Sequence, residues 1–299
     1  MEAARRRPSS RGPPDRLAGD VLDGTLTRCP RGHRGLHREA AGALFAAPEH
    51  RHAAVLSLVA VIDWALGALV ITAASFVQGL AGFGIGLVGL AFLPYLMSPA
   101  TAIVLLTLYA APFTLGVFIQ LRDDFRLSGI RDMLVGTVLG TPIGVWGLAA
   151  LPASLINRLI GVFILLIVIL EVRRLFPERL PGRGWGVGAG VLSGVLGGAI
   201  GTPAPPVIVY SMTQGWTPRR MKANLQAFMV VNQTLILGGY EWAGLLTREV
   251  WHLGLSFAIP ALVGVLAGIA LFGRIDAVRF RQIVFTLLFI SGLVLLVRG

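Results

Sequence analysis

Charged side chains are scarce in this chain: 14% of its 299 residues, and only 15 of them acidic. Soluble domains run near 25% charged, so an ordinary water-soluble core is excluded. A single cysteine, Cys29, excludes an internal disulfide. Cys29, His33 and His37 lack a fourth ligand at finger-like spacing, so no metal site is expected. Of the few acids, Asp63 precedes Trp64, and Glu171 and Glu241 fall near segment ends. Those are places for interfacial side chains rather than for a proton relay. No short apolar segment with a small-residue cleavage site appears before residue 53, so no secretory signal is expected.

What is abundant is apolar sequence, 55% of the chain, with a mean hydropathy of +0.75. From residue 53 onward, hydrophobic segments run over about 55–75, 76–97, 100–121, 132–151, 155–175, 185–213, 220–240, 250–273 and 278–297. Most approach the ~20 residues that a spanning helix needs. A polytopic, all-α transmembrane bundle is expected over 53–299, preceded by an Arg- and Pro-rich tail, 1–52, that lacks apolar periodicity and is expected to be disordered. The net charge of +11 does not point to nucleic acid: ten of the 26 Lys and Arg lie in that tail, and the rest sit mostly between apolar segments.

Two apolar stretches are crowded with glycine. Gly79, Gly82 and Gly86 match Gly194, Gly197 and Gly201 in spacing, and Ile85 matches Ile200. Each glycine costs a helix ~1 kcal/mol against alanine. Broken helices in a membrane are tolerated only where the irregular backbone is buried or lines a cavity. A matched pair of breaks, one per half, points to a transporter's substrate site; the competing reading of such a stretch is a close-packing seam.

Charge then selects a topology. If 76–97 and 185–213 each dip in and return, loops 122–131, 173–183, 214–222 and 274–281 share one side, leaving only Arg158, Arg248 and Arg298 on the other. The positive-inside rule favours this arrangement: seven crossings plus two re-entrant pairs, with a cytoplasmic N-terminus. Residues 76–175 and 185–297 then become inverted repeats. Gly140 and Gly144 answer to Gly264 and Gly268, and Pro99 to Pro218.

The segment Phe76-Val77-Gln78-Gly79-Leu80-Ala81-Gly82-Phe83-Gly84, with Pro94, resembles the opening signature of the sulfite exporter TauE/SafE family. Gly190-Val191-Leu192-Ser193-Gly194-Val195-Leu196-Gly197-Gly198, with Pro203 and Pro206, is similar to its second signature, although Ala199-Ile200-Gly201-Thr202 replaces a fuller glycine run. Asp63-Trp64 also resembles the family's first-helix opening. The likeness covers about residues 60–298. It implies a bacterial inner-membrane permease for a small sulfur-containing anion such as sulfite or an organosulfonate.

New helices starting near Ile85 and Thr202 would offer up to four unpaired N–H groups and about +0.5 of effective charge each. Two such ends would hold an oxyanion without a buried cation. Substrate-binding candidates are Gln78, Gly82, Gly84 and Gly86 at the first break, and Ser193, Gly197, Gly198, Gly201 and Thr202 at the second. Asn224, Gln226 and Asn232, with neighbouring Gln233, lie on the helix that follows, and the eight-residue spacing puts Asn224 and Asn232 on one face. Interhelical hydrogen bonding is the competing role for each of these amides. No cofactor, metal or catalytic residue is expected. The partners expected are the anion and membrane lipids, with further copies of the chain left open. A rhomboid-like hydrolase would need Gly-x-Ser-Gly and a membrane histidine. Val191 stands two before Ser193, and His252 lies at a segment edge. The other class left open is a seven-helix protein such as a lipid-head-group translocase or a sensor.

Overall fold

A computed structural model of the protein describes residues 62–80, 82, 84–173, 182–271 and 277–298. The tail at 1–52, including Cys29, His33 and His37, lies outside the described residues, as do Ala81, Phe83 and the basic positions Arg174, Arg179 and Arg274. All regular structure in the described residues is helical. In order, the helices are α1 (Ile62–Leu80), α2 (Ile85–Phe92), α3 (Pro99–Leu121), α4 (Leu127–Ala150), α5 (Ala153–Arg173) and α6 (Arg183–Ile200). Then come α7 (Ala204–Met212), α8 (Pro218–Trp242), α9 (Arg248–Ser256), α10 (Ala258–Leu271) and α11 (Ala277–Arg298).

Local chemistry sets where several of these begin. Ser98 precedes Pro99 and accepts the Thr101 N–H at 3.1 Å, while Thr217 precedes Pro218 and accepts the Arg220 N–H at 3.4 Å. A hydroxyl cap followed by proline at the first helical position supplies an acceptor and removes a donor that would otherwise be unpaired. Among the described residues, four helices (α1, α3, α4 and α5) are long and apolar enough to cross a membrane, and α9 with α10, bent by 51°, makes a fifth when counted as one span. Large apolar side chains such as Leu139, Ile143 and Trp146 on α4 point outward, as contact with lipid requires. Helix α8 has the length but not the apolar character, because Asn224, Gln226, Asn232 and Gln233 are all turned into the interior.

Two glycine seams hold the bundle. On α4, Gly136, Gly140 and Gly144 lie against the α6 backbone at Val187, Val191 and Val195, and Gly190, Gly194 and Gly198 of α6 return the contact. On α10, Gly264 and Gly268 lie against Thr72 and Phe76 of α1, and Gly79 against Val265 and Ile269. At nearly all of these positions a Cβ would overlap backbone atoms, so van der Waals contact between closely approaching helices is what these glycines secure. Residue numbers rise together along both seams, so α1 runs parallel to α10 and α6 parallel to α4. In contrast, α5 and α11 cross at Gly161 and Gly292 with numbers running in opposite directions.

Three expectations change. Helix α1 is continuous from Ile62 to Leu80, so 55–75 is not a crossing separate from a re-entrant 76–97: the arm entering the first break is α1 itself. Charged residues pair near one end of the bundle: Arg219 of α8 with Asp124, just past α3, at 2.6 Å, and Arg183 of α6 with Asp132 of α4 at 3.4 Å. Ile62 lies toward the other end of the bundle, because Gly82, just past the far end of α1, faces Lys222 and Gln226 near the start of α8, within two turns of the Arg219–Asp124 pair. A cytoplasmic N-terminus therefore does not follow from the same count of crossings.

The third change is the register between the halves. Gly82 and Gly201 both have positive φ, 81° and 66°. Gly82 faces Lys222 and Gln226, whereas Gly201 faces Ile103 and Thr107. Gly79 meets Val265 and Ile269, and Gly198 meets Thr141 and Val145. Residues with equivalent surroundings at the two breaks are thus 119 apart in sequence, like the caps Ser98 and Thr217, rather than the 115 of the Gly79–Gly194 match. The difference is one helical turn. Glycines recurring every three or four residues present the same face after such a slip, so spacing alone could not resolve it. Gly140 and Gly144 meet the Val191 and Val195 carbonyls much as Gly264 and Gly268, 124 residues on, meet those of Thr72 and Phe76.

Candidate functional site

The chain reverses at each break. After α6, Ser193 donates to the Pro203 carbonyl at 2.6 Å, and Gly186 lies beside Tyr210, so α7 runs back along the helix that precedes it. After α1, the Gln78 side chain spans the turn: its Nε2 donates to the Gly82 carbonyl and its Oε1 accepts the Ile85 N–H, both at 3.3 Å. Gly82 and Gly84, with φ of 81° and 113°, make that turn possible, since a left-handed backbone costs other residues roughly 1–2 kcal/mol.

The two turns touch. A methyl placed on Gly86 would lie 2.6 Å from the Gly201 carbonyl oxygen and 2.9 Å from the Thr202 methyl. Buried polar side chains surround this contact. Gln226 of α8 donates to the Gly82 carbonyl at 3.1 Å, which ties the first break to the second half of the chain. The Gln226 Oε1 and Thr202 Oγ1 are buried and have no partner among the described residues.

Gln78, Gly82, Gly84, Gly86, Gly201, Thr202 and Gln226 are therefore brought together, and the remaining candidates are not. Gly198 packs against α4 at Thr141 and Val145. Gly197 faces Ile236, Pro203 and Asn232, has no positive φ, and sits beside the second break without forming its turn. Asn232 donates to Thr137 of α4, and Asn224 accepts the Arg126 N–H at 3.0 Å at the basic end. The shared face of these two asparagines is thus the face toward α4. Their other amide atoms, Asn232 Oδ1 and Asn224 Nδ2, are buried without a partner among the described residues, as is Gln233 Oε1.

Sequence reasoning missed Thr107, Thr137 and Tyr240. Thr107 and Thr137 are buried in the interior, and the Tyr240 hydroxyl donates to the Gly198 carbonyl at 2.9 Å. The only sequence signal for the threonines is a hydroxyl inside an apolar helix, repeated four residues on as Thr137 and Thr141.

The amide supply at the breaks is smaller than helix geometry alone allows. Ile85 N–H is taken by Gln78. In the first turn of α7, Pro205 and Pro206 carry no N–H. An anion here would rely on the few remaining backbone donors and on side chains.

The architecture defines a multi-pass helical membrane protein in which two reversing helix breaks meet inside a polar-lined interior. The chain belongs to the sulfite exporter TauE/SafE family, whose description matches residues 66–295, from the first turns of α1 to the end of α11. Members of this family are transporters, and membership implies a membrane permease of sulfite-type anions. No curated protein and no solved structure matches the chain.

Proposed function

We propose that the protein moves sulfite or a small organosulfonate across the bacterial inner membrane by alternating access, with the anion held where the two breaks meet. The observation that carries this reading is the contact of Gly86 with Gly201 and Thr202, with the partnerless oxygens of Gln226 and Thr202 beside it. Irregular backbone at membrane depth requires a buried or solvated reason to exist, and a pair of breaks in corresponding positions is how secondary permeases build a substrate site.

We read the chain as two inverted halves. Equivalent helices run in opposite directions: α3 and α8 approach antiparallel, with Asn224 near Arg126 at one end, and α5 opposes α11. Such halves can exchange inward- and outward-open states around a fixed site. The basic loops face the cytoplasm in this reading. The test is uptake of labelled sulfite by proteoliposomes containing the purified full chain, in competition with sulfate, taurine and sulfoacetate. Saturable sulfite flux inhibited by sulfonates supports the proposal, and liposomes that stay at the empty-vesicle rate for every anion refute it.

A further inference from the structure

The register of 119 exposes an asymmetry between the two breaks. Around the second, Gly201 faces Ile103 and Thr107. In the equivalent places around the first, Gly82 faces Lys222 and Gln226, and a methyl on Gly82 would lie 3.8 Å from Lys222 Cε and 3.4 Å from Gln226 Nε2. One half thus presents a cation and an amide where the other presents an aliphatic side chain and a hydroxyl. Lys222 is exposed near the start of α8, whereas Gln226, one turn deeper, is buried.

The backbone supply of positive potential at the breaks is limited, because Gln78 occupies the Ile85 N–H and prolines remove two donors from α7. We infer that Lys222 is the charged ligand of the transported anion: its ammonium reaches over the first break from the basic face and, with Gln226, selects a small oxyanion against neutral solutes. A lysine serves this purpose because its flexible stem delivers a compact charge whose position can follow a moving ligand. A cation held at the edge of the bundle also avoids the insertion cost of one at the bilayer centre. This inference rests on the proposed permease reading and adds the residue that sets charge selectivity.

The test is a charge switch at one position. In a Cys29→Ser background, Lys222→Cys is treated in detergent with either an aminoethyl or a sulfonatoethyl methanethiosulfonate, then reconstituted for labelled-sulfite flux. The two adducts share one folded protein and differ in the sign of their charge. The aminoethyl adduct should half-saturate within about threefold of the Cys29→Ser parent, and the sulfonatoethyl adduct should need at least about tenfold more sulfite. Lys222→Arg should also stay near the parent. Equal half-saturation for both adducts, with the parent transporting normally, overturns the inference and leaves the permease reading standing. A parent that moves none of the four anions overturns the permease reading itself.

Discussion

Adding one methyl group at Gly86 sets two local effects against each other, and geometry decides the outcome. Gly86 is helical and buried, so alanine there gains about 1 kcal/mol in helix propensity and should not impair the formation of α2. The new methyl, however, would stand 2.6 Å from the Gly201 carbonyl oxygen. To reach an ordinary 3.4 Å contact, the two breaks must part by about 0.8 Å. Overpacking of this kind costs ~1–3 kcal/mol. If the cost falls on the state in which the breaks meet around substrate, flux per molecule should drop roughly 5- to 140-fold, since about 1.4 kcal/mol corresponds to a factor of ten. Gly238→Ala provides the control, because Gly238 is exposed on α8 with no atom within 4 Å of an added Cβ. The assay compares initial sulfite flux, normalised to reconstituted protein, for the parent and both variants. Gly86→Ala transporting as fast as Gly238→Ala would refute the placement of the anion between the breaks.

Three further outcomes follow from the same geometry. Gly201→Ala places a side chain at φ 66° and 3.3 Å from Ile103, and should cut flux about tenfold. Gly136→Ala presses on the α6 backbone at Val187 and Val191, at least ten residues before the Gly201 turn, so it should lower thermal stability and membrane abundance while flux per folded molecule stays close to normal. Cysteines at 123 and 217, in a Cys29→Ser background, should label from the same side of the membrane, and cysteines at 97 and 245 from the opposite side. Labelling of 123 and 217 from different sides would contradict the shared basic face formed by Asp124 and Arg219.

The membrane class, the two breaks and most of the residues around them are legible in sequence because each leaves a local signature: long apolar runs, glycines at unusual density, and amides in an otherwise apolar helix. The boundary between α1 and the first break is not legible, since residues 64–80 are mostly apolar, broken only by Thr72, Ser75 and Gln78, and carry no proline to mark an end. Register between the halves also escaped, because a stripe of small residues looks the same one turn later. Gly292 is a third instance: it reads as an unremarkable glycine in the closing helix, yet a methyl there would meet Ile164 and Leu165 of α5 at 3.1 and 3.2 Å. Sequence spacing says which glycines share a face, and only the approach of a second helix says which of them are needed.

That distinction bears on what moves during transport. The closest helix contacts join elements from different halves: α6 lies on α4 through six glycines, and α1 lies on α10 through three. Seams in which backbones touch cannot slide without opening voids that neither lipid nor side chains fill. On the proposed alternating-access mechanism, the units expected to move as rigid bodies are the exchanged pairs, α4 with α6 and α1 with α10, rather than the sequence halves. Rearrangement must concentrate where these units meet, at Gly86 and Gly201. Cysteines replacing Asp132 and Arg183, which pair across the α4–α6 seam at 3.4 Å, should be bridged by a short bifunctional thiol reagent with little loss of flux, because both ends travel together. Abolished flux on bridging, with abundance and unbridged activity intact, would show that this seam opens during the cycle and that the sequence halves, not the exchanged pairs, are the moving bodies.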